Sequence, residues 1–254
     1  MAQAFLSSWV GLFEGQRFDV CRRSCAWRGL MKIIFLHGLE SGPGARKHRW
    51  LEDNYEDVVC VDMDMSLVNP FKGRSIARNL LTHFPVTAPW NLPSRSVEAS
   101  LEQCLHSQVA EMESVQHCKG VLVGSSWGGA VATLAIARGL WKGPAVLIAP
   151  AFVKVITRFG PYSAHNAPTT VYREISRRLN AADYVGRPII VHGTSDERIP
   201  IQDSREMAAA TGIELVEVAG ADHSMRCLME GDPAQLKLLI QRVLDGGSTG
   251  YTKT

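Results

Sequence analysis

The stretch Val121-Leu122-Val123-Gly124-Ser125-Ser126-Trp127-Gly128-Gly129-Ala130 decides how the rest of the chain is read. An apolar run enters it, and an Ala/Leu-rich segment, Ala130–Leu140, leaves it and ends against Gly143-Pro144. Unbroken hydrophobicity is what a strand covered on both faces requires. The Gly/Ser-rich centre therefore reads as a sharp turn from a buried strand into a helix starting near Trp127. It satisfies G-x-S-x-G in the strand–turn–helix setting that gives the pattern meaning. Such a turn strains the serine backbone and presents Ser126 at a helix N-terminus, where unpaired N–H groups and the helix dipole favour negative charge. Gly124 and Gly128 are expected to remove Cβ atoms that would clash with the serine. The plain alternative is a Gly/Ser-rich connector without chemistry.

Working outward, short apolar runs alternate with segments of helical length. Ile33–Leu36, Val58–Val61, Ala145–Ile148 and Ile189–Val191 join Val121–Val123 as buried strands. Ile213–Val218 has a period closer to two and fits an edge or partly exposed strand. Helices are expected over Val97–Glu113, capped by Ser94 or Ser96, and over Ala130–Leu140, Gln202–Ala210 and Pro233–Leu244. This alternation predicts an α/β fold, a mostly parallel β-sheet flanked by helices on both faces, with ligands bound outside the carboxyl ends of the strands. Two stretches break the pattern. Ser66–Pro93, with four prolines and Phe71, Phe84 and Trp90, and Ala151–Arg187 read as long loops of the kind that form lids or binding surfaces. Core packing is the default for those three aromatics, a pocket wall the alternative.

The Gly124–Gly129 segment resembles the nucleophile elbow of the α/β-hydrolase superfamily. The resemblance runs from about Met31 to Leu244 and is closest to small bacterial-type serine esterases with little or no lid. It extends to His37-Gly38-Leu39-Glu40-Ser41-Gly42-Pro43 after the first strand, and implies that the N–H groups of Leu39 and Trp127 form an oxyanion hole. His37 is expected to brace that loop rather than transfer protons. Glu40 would oppose catalysis unless it points outward or meets Arg46 or Lys47. In Val191-His192-Gly193-Thr194-Ser195-Asp196-Glu197-Arg198-Ile199-Pro200, the resemblance implies that Asp196 is the acid of a catalytic triad, ahead of its neighbour Glu197; the alternative for Asp196 is a turn or helix cap. In Gly220-Ala221-Asp222-His223-Ser224 it implies that His223 is the general base. Asp222 is a poor partner, because adjacent side chains diverge. The order Ser126, Asp196, His223 is the one this superfamily uses.

Of eight histidines, His48, His83, His106, His117, His165 and His192 are assigned to surface, structural or packing roles. Trp127 is expected either to wall the acyl pocket or to pack beneath the helix. The implied chemistry is hydrolysis of a small ester or thioester through an acyl-enzyme, with no metal or organic cofactor. An acyl-protein thioesterase, a serine peptidase and a small-molecule receptor on the same fold are the alternatives.

With 254 residues the chain is most economically one domain, expected over 31–245 and followed by a frayed tail at 246–254. At 46% hydrophobic and 20% charged residues it reads as neither disordered nor membrane-spanning, and no apolar run reaches about eighteen residues. A net charge of +2 without a dense basic block argues against nucleic acid or an anionic membrane as partner. Six scattered cysteines, Cys21 and Cys25 among them, read as reduced thiols of an intracellular, cytoplasmic protein. Residues 1–30 carry Arg17, Arg22, Arg23 and Arg28 against Glu14 and Asp19. They fit an organelle-targeting extension, a surface arm, or translation from an upstream start.

Overall fold

The computed structural model describes residues 31–83, 92–115, 119–158, 162–231 and 234–246. Six strands form one sheet: β1 (Lys32–Leu36), β2 (Asp57–Val59), β3 (Gly120–Ser125), β4 (Ala145–Ile148), β5 (Ile189–Gly193) and β6 (Glu214–Val218). Their order is β2-β1-β3-β4-β5-β6, and every neighbouring pair is parallel. Among the described residues eight α-helices accompany them: α1 (Arg46–Asn54), α2 (Ile76–His83), α3 (Leu92–Ser114), α4 (Trp127–Ala137), α5 (Phe152–Arg158), α6 (Pro168–Leu179), α7 (Ile201–Thr211) and α8 (Gln235–Leu244).

Side chains alternate across a strand, and here both faces are covered. Ile33, Phe35, Val121, Val123, Val146, Ile148, Ile189 and Val191 pack with Leu51 of α1 and Leu236, Leu239, Ile240 and Val243 of α8. Ile34, Leu36, Leu122, Leu147 and Ile190 point the other way, into a core with α3, α4, α6 and α7. That two-sided burial is why the central strands read as continuous apolar runs, and the expected architecture is the one found. β6 is the outer strand beyond β5, with the mixed exposure its alternation implied.

Several expectations need correction. β2 ends at Val59 and is a half-buried edge strand rather than a buried one. α3 begins at Leu92, so Ser94 and Ser96 lie inside it, buried, and neither caps it. Pro93 stands in the first turn, where a proline costs nothing because its missing N–H would have no helical acceptor. The same holds for Pro168, the first residue of α6, whose Val171, Tyr172 and Ile175 are buried at helical spacing. The two stretches read as loops therefore contain α2 and the start of α3, and α5 and α6. Phe71 is 90% exposed and belongs to no core, whereas Phe84 and Trp90 lie outside the described residues, as do Cys21, Cys25, Cys118, residues 1–30 and most of the 246–254 tail. No helix among the described residues is long and apolar enough to cross a membrane.

Candidate active site

β3 delivers Ser126, and the turn that holds it is strained as its sequence implies. Ser126 has φ 56° and ψ −112°, a positive-φ conformation that an L-residue adopts only when its surroundings impose it. Here the Ser126 N–H donates to Ile148 O (2.9 Å), and its carbonyl accepts from Ala151 N (3.0 Å) and Ala130 N (3.0 Å). The flanking glycines serve the helix crossing rather than the serine itself. A Cβ on Gly124 would lie 2.7 Å from Gly128 O and 2.9 Å from Ala132 Cβ, and one on Gly128 would overlap the carbonyl of Leu36. Both glycines let α4 leave β3 while pressed against β1.

The strand order reverses between β1 and β3: β2 lies outside β1, and β4 to β6 extend from β3. Leu36 pairs with Gly124 across the two strands, so the His37–Glu40 loop and Ser126 emerge side by side at the switch point. Gly38 is close enough that a Cβ there would touch Ser126 Cβ at 3.5 Å. β5 and β6 end in the loops that carry Asp196 and His223. These loops are pressed together: Ser195 N donates to Ala221 O (3.0 Å), Gly220 N donates to Thr194 Oγ1 (2.8 Å), and Gly193 has no room for a Cβ against the Ala221 carbonyl.

Three of the expected residues meet. His223 Nε2 lies 2.9 Å from Ser126 Oγ, and His223 Nδ1 lies 2.7 Å from Asp196 Oδ2. The Asp196 side chain is fully buried and that of His223 is 17% exposed. Asp196 Oδ1 accepts the N–H groups of Arg198 and Ile199, both at 2.9 Å, so the turn-capping role is real and coexists with the histidine contact. Glu197 is exposed. Asp222 points away from the imidazole: its Oδ1 accepts from the Ser224 hydroxyl (2.5 Å), Ser224 N (2.9 Å) and Met225 N (3.3 Å), and those bonds, the hydroxyl's foremost, hold its carboxyl below the usual aspartate range. Lys47, which sequence reasoning did not single out for this place, ties α1 to the same loop by donating to Ser224 O (2.7 Å); burial lowers its pKa from the usual lysine value.

His37 braces its loop. Its Nδ1–H donates to Gly38 O (2.9 Å), and its Nε2 accepts from Met63 N (2.8 Å), which fixes a neutral tautomer; burial depresses its pKa. Glu40 meets neither Arg46 nor Lys47. With φ 53° it turns outward, and its Oε1 accepts from Ser66 Oγ (2.7 Å) and Leu67 N (2.6 Å). Among the described residues, neither the Leu39 nor the Trp127 N–H is paired with an acceptor. The Trp127 side chain sits in the core with α3 and α4 residues, which excludes it as a wall of an open pocket. His192 is buried, as a packing role requires, yet it also touches Asp196, with Nε2 3.2 Å from Oδ2. Its strand-end position alone carried no sign of that contact.

Two surface clefts, of about 500 and 620 Å³, open beside α3 and share Glu102. Neither is lined by Ser126, Asp196 or His223; in the first, Glu102 pairs with Arg138, and Glu98 accepts from Ser163 N. Among the described residues no cluster of three His, Cys, Asp or Glu side chains is placed to hold a metal. The described cysteines, Cys60, Cys104 and Cys227, are free, and burial pushes the Cys60 thiol up to about 12 and Cys104 to about 11.

No protein-family model and no curated protein matches the sequence. The structure is similar to Est1E from Butyrivibrio proteoclasticus, at 15% identity over 87% of this chain and 89% of that one, with a TM-score of 0.52. It is also similar to the ydeN gene product of B. subtilis, at 12% identity over 83% and 99% of the two chains, TM-score 0.51. The chain has the α/β-hydrolase fold. A YdeN-like hydrolase from Pectobacterium atrosepticum, 15% identical over 90% of this chain and 97% of that one, gives a TM-score of 0.50. At these identities the likeness concerns the fold, and fold does not fix function.

Proposed function

We propose that this α/β-hydrolase-fold protein is a serine hydrolase that cleaves a carboxylic ester or thioester of a small substrate through an acyl-enzyme on Ser126. The observation that carries the reading is the unbroken contact chain from Ser126 Oγ through His223 to the buried Asp196. With Nδ1–H committed to Asp196, His223 keeps a free lone pair on Nε2 to take the Ser126 proton as the hydroxyl attacks the carbonyl. The N–H groups of Leu39 and Trp127 would hold the oxyanion; each such donor is typically worth roughly 10²–10³-fold in rate. His223 then protonates the leaving group, and a water activated by the same imidazole releases the acyl chain. The outward turn of Glu40 supports this, because its carboxylate spends its acceptor capacity on Ser66 and Leu67 rather than facing the developing charge.

Hydrolysis of p-nitrophenyl esters of increasing chain length, matched acyl thioesters and short peptides tests the reading. Multiple turnover of short-chain esters or thioesters is expected. Turnover confined to peptides would move the protein to the peptidases, and tight retention of one ligand without turnover would make it a receptor.

A further inference from the structure

His192 lies at the end of β5 and faces the same side of the sheet as Ile190, toward α7. Its imidazole is wholly buried and meets three oxygens. Nδ1 is 2.6 Å from Ser204 Oγ on α7, while Nε2 is 3.1 Å from Ile199 O and 3.2 Å from Asp196 Oδ2. A carbonyl and a carboxylate oxygen only accept. A bare Nε2 lone pair would therefore oppose two others across about 3 Å, whereas the Ser204 hydroxyl can turn to donate to Nδ1. The contacts select the neutral tautomer with the proton on Nε2, and burial, which lowers the pKa of this histidine, keeps it there.

Asp196 then receives three hydrogen bonds, from two backbone N–H groups on Oδ1 and the His223 N–H on Oδ2, while the His192 Nε2–H, which donates to Ile199 O, lies 3.2 Å from the same Oδ2. Its side chain is fully buried, and among the described residues no Lys or Arg pairs with it. A buried carboxylate without a cationic partner is costly unless every lone pair is occupied. We propose that His192 is a positioning residue for the reaction, one that keeps Asp196 aimed at His223 through its Nε2–H, which ties the Ile199 carbonyl of the Asp196 loop to the end of β5 and lies beside Oδ2. Ser204 acts one step further out, by holding the His192 tautomer. This inference rests on the serine-hydrolase reading of the site.

The test compares inactivation by a fluorophosphonate probe, resolved into a maximal rate and a half-saturating concentration, for the wild type and three variants. H192Q places an amide N–H near the position of Nε2; H192N places one near Nδ1; H192L supplies neither. Loss of the N–H that ties Ile199 O and lies beside the buried Asp196 carboxyl is expected to slow the maximal rate about 10- to 100-fold in H192N and H192L with little change in half-saturation, and H192Q should stay within about 3-fold of wild type. S204A, which creates only a small void, is expected to slow the reaction about 3- to 10-fold, and it decides the matter if H192N or H192L fails to fold. Equal rates in H192Q and H192N, or a wild-type rate in H192L or S204A, would overturn the positioning role alone. A wild-type protein whose Ser126 is never labelled would overturn the serine-hydrolase reading, and this inference with it.

Discussion

Asp196→Asn is expected to lower kcat for a good ester substrate about 10⁴-fold with little change in KM or in thermal stability; the size follows the effect of the same change in a well-studied serine protease triad. The reason lies in which oxygen the backbone claims. Arg198 N–H and Ile199 N–H both point at Oδ1, and two fixed donors can be met only by an oxygen. The new amide must keep its carbonyl there and turn its NH2 toward His223 Nδ1. The histidine then accepts on Nδ1 and carries its proton on Nε2, facing Ser126 Oγ, the wrong tautomer for a base. Steady-state kinetics with a thermal melt checks this. A variant that folds normally and loses less than about 10-fold would mean that Asp196 does not set the tautomer.

Gly128→Ala carries the largest expected effect on stability. The added methyl would overlap the carbonyl of Leu36 and crowd that of His37, both main-chain atoms at the end of a central strand. A flexible side chain could move aside; β1, hydrogen-bonded on both edges, cannot. The cost is expected at or above the upper end of ordinary overpacking, about 3 kcal/mol, a fall in melting temperature of roughly 10 °C for a chain of this size. Gly42→Ala is the control. A Cβ there meets Asp62 Oδ1 at 3.8 Å, an ordinary contact, so the melt should move little. Equal melting of the two variants would show that α4 does not need Gly128 to seat against β1.

How much of this was legible in the sequence depended on the range of the interaction. The central strands announced themselves because both of their faces are buried, and every residue from Val121 to Val123 had to be apolar. The elbow was legible because a strained serine between two glycines is a local feature. Pro93 and Pro168 misled in the opposite direction: a proline breaks a helix interior but is welcome in a first turn, and nothing local separates the two uses. Phe71 was assigned to packing on composition alone, and burial is a property of distant neighbours. The contact of His192 with Asp196 was hidden for a similar reason. Four residues apart in a loop leaving a strand says nothing about orientation until α7 brings Ser204 against the ring. Glu40 was recognised as a difficulty, but its partners, Ser66 and Leu67, lie more than twenty residues away and became visible only in three dimensions.

The central claim is that Ser126 is a nucleophile activated by His223. Incubation with a fluorophosphonate, digestion and mass spectrometry tests it most directly. One adduct per chain is predicted, on the peptide containing Ser126, absent after Ser126→Ala and formed at least about 10³-fold more slowly after His223→Ala. An adduct on another residue, or a Ser126 adduct that forms as fast without His223, would contradict the account.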